Sequence, residues 1–182
     1  MSRIRPAASP VAAEEPVVRR ATLDDAARLS DLALRSKAVW GYDPAFMDAC
    51  RVELTISAES IRHQPTFLLE DRGRLAGFYQ LRLSGASAEV AQFFIAPEAL
   101  RGGLGRRLWR HLERTARNAG ARRLEVDSDP NAEGFYLAMG MMRRGEAPSG
   151  SIANRLLPYL VKELASALPN RATVAGGDLE GV

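Results

Sequence analysis

Apolar and polar residues repeat with two different periods along this chain, and the switches between them mark its elements. Pro16 to Ala21 reads as a short strand. Thr22-Leu23-Asp24-Asp25 opens a helix, with Thr22 as its N-cap and Asp25 placed three residues on to close a capping box. Ala26, Leu29, Leu32 and Ala33 then recur at helical spacing. Trp40-Gly41-Tyr42-Asp43-Pro44 breaks that helix, and a second one runs through Phe46, Met47 and Cys50. Thr66 to Glu70 is a strand, Asp71-Arg72-Gly73 a tight turn, and Leu75 to Leu83 the hairpin partner. Gly85 and Ser87 turn the chain into a strand over 88–95. A long amphipathic helix follows to about Asn118, where Gly120 ends it. Arg123 to Asp127 is a strand, Pro130 to Met139 a short helix stopped by Gly140, and two final strands lie near 141–146 and 155–163. The order β-α-α-β-β-β-α-β-α-β-β, three hairpin strands and then a β-α-β crossover, predicts an α/β domain with a mixed, mostly antiparallel sheet of about seven strands and helices on both faces.

Composition narrows the class. The chain has 182 residues, 46% hydrophobic and 26% charged, as in an ordinary globular domain. Residues 1–15 and 167–182 read as flexible tails poor in apolar residues, flanking one domain over 16–166. No apolar run approaches the ~20 residues of a membrane span, and no signal-peptide core opens the chain. Cys50 is the only cysteine, so no intrachain disulfide forms, which fits a cytoplasmic protein. The net charge is +3, and lysine occurs only at Lys37 and Lys162. An excess this small, carried almost wholly by arginine, argues against nucleic acid as a partner. His63 and His111 lack metal-ligand spacing, and no metal is expected.

The most informative stretch joins the strand at 88–95 to the long helix. Three glycines, Gly102, Gly103 and Gly105, fall within four positions. They let the backbone turn tightly and let a ligand meet bare amides. The first turn of the helix adds unpaired N–H groups and the positive end of its dipole, a setting for phosphate oxygens. Arg101, Arg106 and Arg107 surround it with positive charge. A Walker loop is excluded because no Lys-Ser/Thr pair follows. A dinucleotide fingerprint is excluded because Leu108 stands where its third glycine belongs. The pyrophosphate of coenzyme A is the remaining class.

The segment Ile95-Ala96-Pro97 through Gly103-Leu104-Gly105 resembles the acetyl-CoA loop of the GNAT superfamily of N-acetyltransferases, where Val/Ile-x-Pro precedes Arg/Gln-x-x-Gly-x-Gly/Ala. Leu100 departs from the motif's first position, and Arg101 follows it. A second stretch, Asp127 to Met141, resembles the superfamily's Ala-x-x-Phe/Leu-Tyr-x-x-x-Gly-Phe segment through Ala132, Phe135, Tyr136 and Gly140, with Met141 in place of Phe. The element order matches from Val17 to about Leu164.

The resemblance implies an acetyl-CoA-dependent N-acetyltransferase that moves an acetyl group directly to the primary amine of a small molecule. In that reading Gly102, Gly103, Leu104, Gly105, Arg106 and Arg107 hold the pyrophosphate with Arg101, and Asn131 and Tyr136 join the cofactor site. The pantetheine arm pairs with the strand edge at Phe93, Phe94 and Ile95, and an N–H near Phe94 or Ile95 polarises the thioester carbonyl. Tyr136, turned toward the cleft while Phe135 faces the core, is the acid for the leaving thiolate. Glu89 is the first choice of base, with Glu70, Asp127 or a water chain as alternatives. Trp40 and Tyr42 line the acceptor pocket, their rings holding the amine cation. Arg155 is placed to bind an acceptor carboxylate. Cys50, among Phe46, Met47 and Leu54, reads as a buried inert thiol. The resemblance allows a homodimer. A non-catalytic acyl-CoA-binding module and a protein or peptide acetyltransferase are the alternative functions.

Overall fold

The computed structural model describes residues 15–165, and the expected tails lie almost wholly outside the described residues. Seven strands form one sheet: β1 (Val17–Arg20), β2 (Thr66–Asp71), β3 (Arg74–Ser84), β4 (Ser87–Ile95), β5 (Arg123–Asp127), β6 (Met142–Pro148) and β7 (Leu156–Glu163). Their order is β1-β2-β3-β4-β5-β7-β6, and every neighbouring pair is antiparallel except β4–β5. No helix among the described residues is long and apolar enough to cross a membrane.

Helices cover both faces. On one face α4 (Leu104–Asn118) buries Leu108, Trp109, Leu112 and Ala116, a stripe at i, i+1, i+4 and i+8 that packs on Tyr79, Leu81, Val90 and Leu124. The short α5 (Glu133–Ala138) joins this core through Tyr136. On the other face α1 (Ala26–Ala38), α2 (Pro44–Cys50) and α3 (Ala58–His63) enclose Leu29, Leu32, Cys50, Ile61, Leu68 and Phe78. The predicted helix start is present, with one difference. Asp25 reaches back to the Thr22 N–H at 2.7 Å, but Leu23–Asp25 form a 3-10 turn before α1 proper.

Two differences from the sequence expectation have local causes. The hydrophobic pattern does not predict helix α3, because its six residues carry a single buried apolar side chain, Ile61. Its start has a readable signal, since the Ser57 hydroxyl accepts from the Ser60 N–H. Helix α5 begins at Glu133 rather than Pro130, because Asp129 captures the Asn131 and Ala132 amides in a turn.

The site owes its existence to a failure of pairing. Strands β4 and β5 are in register only over Ser87–Glu89 and Arg123–Glu125, although β4 runs on to Ile95 along β3. Just past Glu89 the β3–β4 register skips from Leu81↔Val90 to Gln80↔Gln92, which leaves Ala91 as an extra residue. Such a bulge bends its strand and strengthens the local twist, so β4 turns away from β5 and a wedge opens between them. Gly77 lets β3 follow: a Cβ there would meet Ile95 Cδ1 at 2.6 Å and the Phe94 carbonyl oxygen at 2.8 Å.

Candidate functional site

A cavity of about 520 Å³ occupies the wedge. Its walls are Val90 to Ile95 of β4, Val126 and Asp127 at the end of β5, Phe135 and Tyr136 of α5, and Met139 just after that helix. The glycine loop stands at one end. Ser36, Lys37 and Trp40 of the α1–α2 region, with Asp129, Asn131 and Arg155, also line it.

Leu100, Arg101, Gly103, Gly105 and Arg106 of the loop face the cavity. Gly103 adopts φ +77°, a left-handed conformation that suits glycine, and caps α4 without a side chain. Arg101 is also left-handed, at φ +65°, an uncommon and costly state for a residue with a side chain. The first backbone bond of α4 runs from the Arg107 N–H to the Gly103 carbonyl. The amides of Leu104, Gly105 and Arg106 are therefore left over at the positive end of the helix. Three expected loop residues are placed elsewhere. Gly102 and Leu104 line a separate groove with Pro16 and Arg72. The Arg107 guanidinium donates to the Pro16 carbonyl at 2.6 Å and does not reach the cavity. The missing side chain of Gly105 points at Ile95 and Phe135, both 3.5 Å from a Cβ placed there, so this glycine serves packing as well as the loop.

Along β4 the hydrogen-bonding groups alternate between its two sides. The Ala96 N–H donates to the Ala76 carbonyl of β3. Counting back through the register, the Phe94 backbone is committed to Phe78, whereas Phe93 and Ile95 turn their backbone groups toward the wedge. The amide positions expected at Phe94 or Ile95 thus resolve to Ile95, with Phe93 beside it.

Tyr136 is 6% exposed and lines the cavity. Its ring packs edge-on against Phe93, Trp109 and Phe135. No hydrogen-bond partner for its hydroxyl is found among the described residues. Burial, with nearby Asp129 adding to it, pushes the phenol well above its ordinary value and keeps it protonated. Phe135 differs from expectation: it also lines the cavity, stacked on Phe93 at 5.2 Å, and is less buried than Tyr136.

The carboxylates are sorted by their partners. Glu89 is bound to Arg82, with oxygens 2.5 and 2.6 Å from one guanidinium nitrogen, and does not line the cavity. Its place at the last position where β4 pairs with β5 puts it below the opening. Glu70 is equally committed, to Arg19 and Arg28. Asp127, at the end of β5, does line the cavity. Asp127 is exposed as a residue, but partial desolvation at the cavity wall together with the charges of Glu89 and Glu125 raises its carboxyl above the ordinary value, toward better proton affinity.

The other polar group in the cavity is a cluster around Asp129. Its oxygens accept from the Tyr42 hydroxyl at 2.9 Å, the Asn131 N–H at 2.9 Å, and Lys37 and Arg155 at 3.3 Å each. The Tyr42 oxygen accepts in turn from Asn131 Nδ2 and Arg155 Nη2, both at 2.9 Å. Burial raises the Asp129 carboxyl, but the Asn131 amide, Tyr42 and Lys37 outweigh it and hold the group below its usual range. Trp40, 45% exposed, lines the cavity as expected. Tyr42 does not: it stands behind Asp129 and Arg155, stacked on Phe46 at 4.1 Å. Lys37, Asp127 and Asp129 had no motif to mark them as a group, because they come from two distant parts of the chain. Cys50 is 1% exposed, its sulfur 3.4 Å from the Ser151 hydroxyl, and lies outside the cavity that Ser151 lines.

The sequence model of the Acetyltransferase (GNAT) family matches residues 30–141, more than half of the chain. Among curated proteins none matches. Solved structures share the fold. A GCN5-related N-acetyltransferase from Rhodopseudomonas palustris is 21% identical, with 86% of this chain and 100% of that one covered at a TM-score of 0.68. The PaiA N-acetyltransferase of Thermoplasma acidophilum, solved in complex with coenzyme A, is 17% identical, with 82% and 99% covered at 0.68. A ribosomal-protein alanine N-acetyltransferase from Escherichia coli is 16% identical, with 86% and 98% covered at 0.62.

Proposed function

The chain belongs to the acetyltransferase (GNAT) family, and on that premise we propose that it carries an acetyl group from acetyl-CoA directly to the primary amine of a small molecule bound in the same cavity. The observation that carries this reading is the divergence of β4 from β5 beyond Glu89. It leaves the backbone groups of Phe93 and Ile95 on the wedge side without a strand partner among the described residues, in a cavity that the glycine loop and Tyr136 also line.

Each requirement of the reaction then has a residue. The amides of Leu104 to Arg106 and the charges of Arg101 and Arg106 bind phosphate oxygens. The Ile95 N–H, with Phe93 beside it, polarises the thioester carbonyl. The amine must arrive without its extra proton, and Asp127 replaces Glu89 as the group that accepts it. Attack forms the C–N bond, breaking the C–S bond sends the electron pair to sulfur, the Tyr136 hydroxyl supplies the proton that leaves coenzyme A as a thiol, and the second proton, lost from the acylated nitrogen, restores the tyrosinate to the phenol.

A screen of amines with acetyl-CoA, read by release of free thiol, tests the proposal. Turnover of a small amine, with intersecting initial-rate lines in both the wild type and Cys50→Ala, is the expected result. Parallel lines with acetyl found on Cys50 would replace direct transfer by a covalent route.

A further inference from the structure

We infer that the acceptor carries a carboxylate as well as its amine, and that Lys37 and Arg155 bind that carboxylate. The inference deepens the acetyl-transfer reading and rests on it for calling the ligand an acceptor.

The argument begins with a reversal. The sequence suggested that the rings of the 40–42 loop hold the cationic amine. In the fold the stacked pair Tyr42–Phe46 is already occupied by the protein's own cations. The Arg155 guanidinium lies 4.7 Å from the Phe46 centroid and 5.2 Å from that of Tyr42, and Lys37 Nζ lies 5.7 Å from both. A third cation there would meet two like charges at close range, whereas an anion would meet two opposite ones.

The charge count points the same way. Lys37 from the end of α1, Asp129 after β5 and Arg155 before β7 are brought together by the tertiary fold, and all three line the cavity. Their side chains are only 12%, 13% and 17% exposed. Two cations share one carboxylate. Arg155 spends Nη2 on Tyr42 and Asp129, and no partner for its Nε or Nη1 is found among the described residues. A poorly hydrated charge without a counter-ion is costly, so one positive charge and a set of free donors await a ligand. The surplus of one matches a carboxylate, and a guanidinium fork suits its two oxygens. A phosphate dianion would exceed it.

The other charged groups facing the cavity are Asp127, Glu53, Arg101 and Arg106. Arg101 and Arg106 belong to the glycine loop. Asp127 and Glu53 form no ion pair with Lys37 or Arg155 among the described residues, so neither takes up the free donors of Arg155. Asp127 is available instead to the amine. The cavity thus offers separate places for the two ends of an amino acid.

The test uses calorimetric titration of the full chain, saturated with coenzyme A, with N-acetyl amino acids and their carboxamides as matched pairs across the common side chains. O-phosphoethanolamine serves as a dianion arm. At least one carboxylate is expected to bind tenfold or more tightly than its carboxamide. Lys37→Met and Arg155→Gln should each bring that ratio close to one, and Lys37→Arg should keep most of it. Either loss leaves one cation paired with Asp129, so the variants should fold, as thermal unfolding would verify. A carboxylate advantage that is absent from the wild type, or that survives both variants, overturns the inference, and so does a preference for the phosphate. The acetyl-CoA dissociation constant and thiol release, measured on the same preparations, report separately on acetyl transfer. Carboxylate selectivity without transfer would sink that reading and leave the subsite standing.

Discussion

Replacing Tyr136 by Phe should lower activity and leave stability nearly unchanged. The substitution deletes one oxygen and leaves the ring packed on Phe93, Trp109 and Phe135. The hydroxyl opens on the cavity and keeps access to water, so it does not carry the penalty of about 1–3 kcal/mol of a sealed, unpaired hydroxyl. Tyr136→Phe should therefore shift stability by less than about 1 kcal/mol. For a chain of this size that is a change in Tm of less than about 2–4 °C. If the hydroxyl protonates the leaving thiolate, its loss should lower kcat about a hundredfold or more, or about 2.7 kcal/mol of barrier. Acetyl-CoA affinity should stay within about threefold, because the loop amides are untouched. Steady-state thiol release, calorimetric titration and thermal unfolding on one preparation give all three quantities. Because burial pushes this phenol upward, it stays protonated, and kcat should show no alkaline fall from Tyr136 below about pH 10. An unchanged kcat would reduce Tyr136 to a packing residue. A loss of stability greater than about 1 kcal/mol would mean that the hydroxyl has a structural partner, and the reasoning would fail.

Two further predictions concern the scaffold. Gly77→Ala places a methyl group 2.8 Å from the Phe94 carbonyl oxygen, so it should cost about 1–3 kcal/mol in urea denaturation and raise KM for acetyl-CoA by shifting Ile95; an unaltered midpoint and KM would show that β3 and β4 separate without cost. The Arg19 guanidinium holds the nearly buried Asp25 carboxyl well below the usual carboxylate range, against the opposing effect of burial, with Thr22 and Arg28 assisting. A depressed value stabilises the fold above the unfolded pKa of about 3.9 and loses that contribution as pH falls through the folded value. Asp25→Asn should therefore be less stable than the wild type at pH 7 by a margin that narrows below pH 4, and a margin independent of pH would remove the carboxylate from the account.

The sequence by itself determined what depends on neighbours along the chain. Periodicity marked all seven strands, because alternation and helical stripes are local patterns: Leu29, Leu32 and Ala33 fall on one face of α1 wherever that helix sits. The loop was legible for the same reason, since three glycines ahead of an amphipathic helix constrain their own backbone. Helix α3 escaped because six residues with one buried side chain hardly repeat at all. The tertiary structure decided everything that required two distant segments to meet. Glu89 and Asp127 are both carboxylates on central strands, and only the bulge at Ala91 and the parting of β4 from β5 put one below the opening and the other inside it. Lys37 and Arg155 are separated by more than a hundred residues, and no spacing rule links them. They share Asp129 because α1 and the start of β7 flank the same wedge, and the net charge of that contact exists only once the chain has folded.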